Sequence, residues 1–299
     1  MNNYKYFVSK NNLEVKKVTI KENKVIIDTP LDSFIIIKGD INKYNYLLSR
    51  GFDYIPKIID YDNTYIMFKN YNTITYDLEE RLLDFVKLLS LLHIKTSYYK
   101  EVTNYDYKII YEKLLNKIND TRNYYLNLIN IVESKEYMSP SEYLIARNIS
   151  NILYLLDYSN DLLEKYYSIV KDNNKIRVVT LFNNDINNMI KTRENIYLFD
   201  FINCKVDIPI FDIYNLYCNY FDYIDIKIVL RNYNKIYKLT EEETLLLTIL
   251  IIIPDKVIIN NSVNNIKNIK YSLNKIYKSF DCLKPDKEET GKAKKEEDN

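Results

Sequence analysis

Tryptophan is absent from this chain of 299 residues, histidine occurs once and glycine three times. Each scarcity excludes something. The single histidine, His93, leaves no multi-histidine zinc or iron site. With so little glycine, the closely spaced loops G-x-x-x-x-G-K-[ST] and G-x-G-x-x-G, whose backbone amides cradle phosphates, are missing. The three cysteines (Cys204, Cys218, Cys282) have no metal-ligand spacing, and an odd number cannot all pair within one chain. Charge of one sign is also lacking: 42 Lys and Arg face 41 Asp and Glu. A sequence-wide nucleic-acid footprint would need a basic excess, so no nucleic-acid partner is expected. Long apolar runs are missing too. Leu245 to Ile253, broken by Thr248, falls far short of the roughly 20 residues of a membrane span. The start, Met1-Asn-Asn-Tyr-Lys-Tyr-Phe7, has no apolar signal region. No membrane partner and a cytoplasmic location are the expectations.

What is present is tyrosine, 31 residues of it, with abundant Ile, Asn and Lys, a usage that AT-rich coding accounts for without any function. Hydrophobic residues at 47% and charged residues at 28% describe a globular body with a substantial core.

The first 70 residues read as strands. Val15–Ile20, Lys24–Thr29 and Phe34–Lys38 are β-branched runs, with reversals at Lys21-Glu-Asn-Lys24 and Thr29-Pro-Leu-Asp32. Asp40 to Arg50 has helical spacing and ends at Gly51, a C′ glycine. Pro56–Tyr61 and Tyr65–Phe68 predict two more strands. After Tyr71 the texture turns helical. Asp77 and Glu80 suggest a capping box ahead of Leu78, Leu82, Phe85, Val86, Leu89 and Leu92 on one face. Two helices are expected between Tyr105 and Ser134. Ser139-Pro-Ser-Glu142 opens another reaching about Leu156, and one more covers Asp161 to Val170. Strand texture returns at Arg177–Phe182 and Ile196–Phe199, flanking an Asn/Asp-rich segment. Helices resume at Ile210, with a capping box at Thr240-Glu-Glu-Glu243 and a stop before Pro254. Residues 284–299 are charged, nearly free of apolar side chains, and expected to be a disordered tail.

A small sheet region followed by a helical region with one β interruption resembles the aminoglycoside/choline phosphotransferase superfamily, nearest to its spore-coat-associated kinase-like branch. The stretches carrying the resemblance are Phe34–Lys38, Arg50–Pro56, Leu91–Tyr98, Asn188–Asp200 and Asp207–Ile213. It implies an α+β, two-lobed, protein-kinase-like fold: a small antiparallel-sheet N-lobe with one helix over residues 1–71, then a larger, mainly helical C-lobe over 72–283.

The resemblance also implies a site. Lys38, ending the third strand, matches the lysine that holds the nucleotide's α- and β-phosphates. The family pairs it with a glutamate on the next helix, but Ile41 to Arg50 has no acidic residue. Asp200, after an apolar strand, matches the carboxylate that holds Mg²⁺, a hard cation with oxygen ligands. Asp212 matches the buried aspartate that ties down the catalytic loop. That loop follows H-[GN]-D-x-x-x-x-N in the family, with Asp as base and Asn as second metal ligand. Here the stretch is Thr180-Leu-Phe-Asn-Asn-Asp-Ile-Asn-Asn188. Counting back from Asn188 puts Asn183 at the base and Leu181 at the histidine. Anchoring on Asn-Asn-Asp185 keeps a carboxylate but shortens the loop by two residues.

Both registers impair transfer. An amide takes no proton at neutral pH, and base assistance contributes roughly 10²–10⁴-fold; a misplacement of about 1 Å already costs roughly 10²-fold. The ungapped register is favoured, since a substitution is easier to accommodate than a deletion. His93, with no second ligand type nearby, reads as a packed helix residue. The expected function is a pseudokinase acting through a protein partner, with ATP and Mg²⁺ as its cofactors if any. The alternative is an active ATP-dependent phosphotransferase with Asp185 as base.

Overall fold

Five short β-branched runs pair into one antiparallel sheet in this computed structural model, which describes residues 4–21, 24–259 and 265–283. They are β1 (Lys17–Lys21), β2 (Lys24–Asp28), β3 (Ser33–Lys38), β4 (Ile58–Tyr61) and β5 (Tyr65–Lys69), in the order β1-β2-β3-β5-β4. Register fixes which side chains share a face. Lys24 lies opposite Ile37, Ile26 opposite Ile35, and Val25 opposite Ile36. Because side chains alternate along a strand, Val25, Ile27, Phe34 and Ile36 share one face. There they join Met67 around Phe7 of α1 (Tyr4–Lys10) in a buried cluster. The other face carries Lys24, Ile35, Ile37 and Phe68, and packs against α2 (Ile41–Ser49) through the Tyr44–Phe68 ring pair at 5.3 Å.

Asp40 caps α2 by accepting the Asn42 N–H at 2.9 Å. Gly51, at φ 74°, ends it in the left-handed conformation that a glycine adopts without strain. The strands and helix expected over the first 70 residues are all present; α1 was not anticipated. Glu22 and Asn23 of the expected first reversal, and the tail at 284–299, lie outside the described residues.

The same compact unit holds α3 (Leu78–Thr96), most of β7 (Lys175–Leu181), the hairpin of β8 (Met189–Lys191) and β9 (Ile196–Leu198), β10 (Lys205–Asp207), the first part of α6 (Ile210–Tyr220) and most of α7 (Ile226–Asn234). Asp77 caps α3 by accepting from the Glu79 N–H at 3.0 Å, rather than through a box with Glu80. Between α3 and α4 lies the short strand β6 (Tyr98–Glu101).

A second compact unit comprises the described residues of Tyr99–Ile176, Tyr217–Lys227 and Leu239–Asn299. It is built on α4 (Asn104–Glu133), α5 (Pro140–Val170), α8 (Glu241–Ile252) and α9 (Asn265–Ser279). The capping boxes at Ser139/Glu142 and Thr240/Glu243 both form. Two expectations are corrected here. Tyr105 to Ser134 holds one 30-residue helix instead of two, and Pro140 to Val170 is continuous instead of broken near Asp157–Asn160. Neither stretch contains an internal glycine or proline. Buried Leu155, Leu156, Leu163 and Tyr166 hold α5 through its weak helix formers, while Ser159 bonds back to the Leu155 carbonyl at 2.6 Å. No helix among the described residues is long and apolar enough to cross a membrane.

Candidate functional site

The Asn-rich segment after β7 is held from below by one buried carboxylate. Asp212, on α6, accepts the backbone N–H of Phe182 at 2.7 Å and that of Asn183 at 2.9 Å. His93 of α3 lies 3.1 Å away through Nε2, and its Nδ1 is 2.5 Å from the Tyr233 hydroxyl. A carboxylate only accepts, so Nε2 carries the hydrogen toward Asp212, and a neutral ring then takes the Tyr233 O–H at Nδ1. His93 is fully buried, and this bond is what its burial serves. A second tie comes from Thr96, whose hydroxyl accepts the Thr180 N–H at 3.0 Å.

Above this anchor the chain turns sharply. Asn183 has φ 49°, a left-handed conformation that asparagine tolerates better than most residues. Its amide donates to the Asn203 carbonyl at 3.2 Å and its oxygen meets Asn215 at 3.4 Å. Asn184 is the residue that reaches Asp200: its amide donates to the Asp200 carbonyl at 2.9 Å. The Asn184 oxygen accepts from the Asp185 N–H and from the Asn188 side chain. Asp185 caps the short 3-10 turn Ile186–Asn188 by accepting the Asn187 N–H at 2.8 Å. The Asn188 carbonyl takes the Phe199 N–H at 3.1 Å, which ties the loop to the strand leading into Asp200.

Asp200 itself sits at φ 66°, ψ 61°, a second left-handed non-glycine residue, ahead of the 3-10 turn Phe201–Asn203. Such strain costs on the order of 1–3 kcal/mol and persists only where surrounding contacts impose it. Here they come from α2. The buried Tyr44 ring packs on Phe201 at 5.4 Å, and its hydroxyl accepts the Phe201 N–H at 3.2 Å. Burial pushes the Asp200 carboxyl above its ordinary range, opposed by the Ile202 N–H, the Asn184 amide and the charge of Lys24.

The structure therefore brings Asn184, Asn188 and Asp200 together, with Asp212 holding the loop behind them. Lys38 is exposed at the end of β3 and alternates with Phe34 and Ile36, on the face of α1. Lys24 lies on the α2 face, and its Nζ is 5.4 Å from the centre of the Phe199 ring. Neither Lys24 nor Asn184 figured among the residues expected from sequence. The signal for Lys24 was hairpin arithmetic: pairing across Thr29–Asp32 sets it opposite Ile37. For Asn184 it was the i,i+4 spacing to Asn188.

The oxygens that could meet a hard cation here are the Asp200 carboxylate and the Asn188 side-chain carbonyl, whose NH2 is turned toward Asn184. Among the described residues there is no cluster of three or more His, Cys, Asp or Glu side chains able to hold a metal. The set thus fits an Mg²⁺ whose remaining ligands are phosphate oxygens and water, the usual habit of that ion.

No family model matches the sequence, and no curated protein matches it. Solved structures do. An aminoglycoside phosphotransferase from Alicyclobacillus acidocaldarius aligns over 92% of both chains at a TM-score of 0.67 and 11% identity. The choline kinase LicA from Streptococcus pneumoniae aligns over 95% of this chain and 99% of its own, with TM-score 0.48 and 14% identity. The spectinomycin phosphotransferase APH(9)-Ia, in complex with ADP and spectinomycin, covers 93% and 98% at TM-score 0.48 and 13% identity. At 11% identity the first alignment establishes the fold. The chain has a kinase-like phosphotransferase fold, with an antiparallel-sheet N-terminal region and a helical C-terminal part.

Proposed function

We propose that this protein is a pseudokinase of the aminoglycoside-phosphotransferase fold, which holds a nucleotide with Mg²⁺ at Asp200 and acts through binding. The observation carrying this reading is the disposition of the loop. Amides of Asn184 and Asn188 adjoin Asp200, while the loop's one carboxylate, Asp185, caps its own turn at Asn187. An amide oxygen can share a metal but cannot accept a hydroxyl proton at neutral pH. The missing base assistance corresponds to roughly 10²–10⁴-fold in rate.

In this reading Asp200 and Asn188 hold the cation, which when bound neutralises phosphate charge. Asn184 fixes the Asp200 turn, and Asp212 and His93 position the loop. Asp200 is partly buried, and that partial burial raises its carboxyl pKa, a setting in which a cation partner would favour the ionised form.

Thermal unfolding with ATP and Mg²⁺, compared with ATP and EDTA, tests the reading. A ligand that binds only the folded state adds about 2.7 kcal/mol at one hundred times its Kd. Metal-dependent stabilisation that Asp200→Ala abolishes, without ADP release, is the expected result. Steady ADP release lost in Asp185→Ala but kept in Asn183→Ala would overturn it in favour of an active phosphotransferase with Asp185 as base. Absence of any shift would leave a binding module without nucleotide.

A further inference from the structure

We infer that Lys24, on β2, with Lys21 beside it on β1, supplies the positive charge that meets the nucleotide's phosphates, the part that resemblance assigns to Lys38. The inference rests on the nucleotide-binding reading above and concerns which lysine serves that site.

Three observations carry it. First, the register. Lys24 pairs with Ile37, so it shares the face of Ile35 and Ile37, the one that packs on α2 through Tyr44 and Phe68. Lys38 alternates onto the face filled by Phe7, Phe34 and Ile36. A register slip that moved Lys38 to the other face would turn every side chain of the strand over, exchanging Phe34 and Ile36 with Ile35 and Ile37 and breaking the packing of both buried faces. Second, the reach. The Lys24 ammonium stands 5.4 Å from the centre of the Phe199 ring, the residue directly before Asp200. Third, an unfavourable pair. Lys21 and Lys24 are direct cross-strand neighbours, and like charges placed so are destabilising in the free protein. An anion between them turns that repulsion into attraction.

Chemically, two ammonium groups are a good match for a polyphosphate. Each is a compact point charge with three donors on a flexible stem. Glycine-rich phosphate loops do this work with backbone amides, and the chain has no such loop. Lysines flanking the β1–β2 connection replace dipoles with full charges. On the other side of the phosphates, the cation at Asp200 would balance the pair.

Binding of a fluorescent ADP analogue with Mg²⁺ to the full chain, read by anisotropy, tests the inference without recourse to turnover. Lys24→Gln should weaken ADP roughly ten- to a hundred-fold, the range for a lost hydrogen bond to a charged group. Lys24→Arg should recover most of the affinity. Adenosine, which lacks phosphates, should compete equally against the parent and Lys24→Gln. Lys38→Gln should cost less than Lys24→Gln. The inference fails if Lys38→Gln costs as much or more, or if adenosine loses as much as ADP. A parent chain that binds no ADP sinks the nucleotide reading itself, and this inference with it. A parent that binds ADP tightly, with Lys24→Gln unaffected, sinks only the assignment of Lys24. Urea midpoints of the variants within error of the parent confirm that each is folded.

Discussion

Replacing Asp212 by alanine should be among the most damaging single changes in the first unit. The carboxylate accepts from Phe182 N at 2.7 Å, Asn183 N at 2.9 Å and His93 Nε2 at 3.1 Å, and it is only 4% exposed. Alanine strands all three donors. A lost bond to a charged acceptor costs about 1.5–3 kcal/mol. Asn183 is partly exposed and water can replace its partner, so the working total is roughly 4–6 kcal/mol, against a typical stability of about 5–15 kcal/mol. Asparagine gives a graded control. With its oxygen in the Oδ2 position it keeps Phe182 and His93 and loses only the Asn183 bond, a cost of about 1–2 kcal/mol. Urea unfolding followed by circular dichroism measures both, with an unchanged m-value as the check that midpoints report stability. A cycle combining Asp212→Ala with His93→Phe, each of which removes the bond between them, should show coupling above about 0.5 kcal/mol, as groups in one network do. Equal losses for the alanine and asparagine variants, or an alanine loss under about 1 kcal/mol, would refute the claim that these bonds hold the loop.

Three further outcomes are expected. Because burial raises the Asp200 carboxyl above its ordinary value, the folded metal-free protein binds that proton more tightly than the unfolded chain does. Its stability therefore falls as pH rises through the raised value; Asp200→Asn should lift the urea midpoint at pH 7 to 8 and lose its advantage in acid, and an equal midpoint at pH 8 would contradict this. Tyr44→Phe leaves the buried Phe201 N–H without its acceptor and should cost about 1–3 kcal/mol with a weaker ADP site, whereas unchanged values in both would show that the hydroxyl is idle. Glu142, whose carboxyl is held down at about 2 by Lys135 and by the Ser139 N–H and hydroxyl, should add stability above its ordinary value of 4.5 and surrender it as pH falls toward about 2. In Glu142→Gln, acid titration of stability should be shallower across that window, and a superimposable titration curve would argue against the box as an acid-sensitive tie.

Most self-contained local chemistry was readable, the Asp77–Glu80 box excepted. Strand patterning, the Gly51 stop and the Ser139 and Thr240 boxes depend on neighbours within a few residues, and they formed as expected. The unbroken α4 and α5 were not readable, because weak helix formers at Asp157–Asn160 are overridden by leucines buried elsewhere in the same helix. The site divides the same way. Asp200 was visible as a carboxylate after an apolar strand, but its left-handed turn is held by partners distant in the chain, among them Tyr44, 156 positions earlier. Lys38 drew attention because it ends a strand in the right place along the sequence. Which face it occupies depends on pairing with β2 and β5, information that lies in the hairpin register and not in position along β3 alone.

Tyr44 has one more implication. Its ring is wedged between Phe68 and Phe201, and its hydroxyl grips the backbone just after Asp200. Lys43, the preceding residue of α2, adds a second grip by donating to the Ile202 and Cys204 carbonyls at 2.8 and 3.1 Å, so two side chains of the helix hold the turn that follows Asp200. A displacement of α2 should therefore be felt at the backbone beside Asp200 through Tyr44 and Lys43 together.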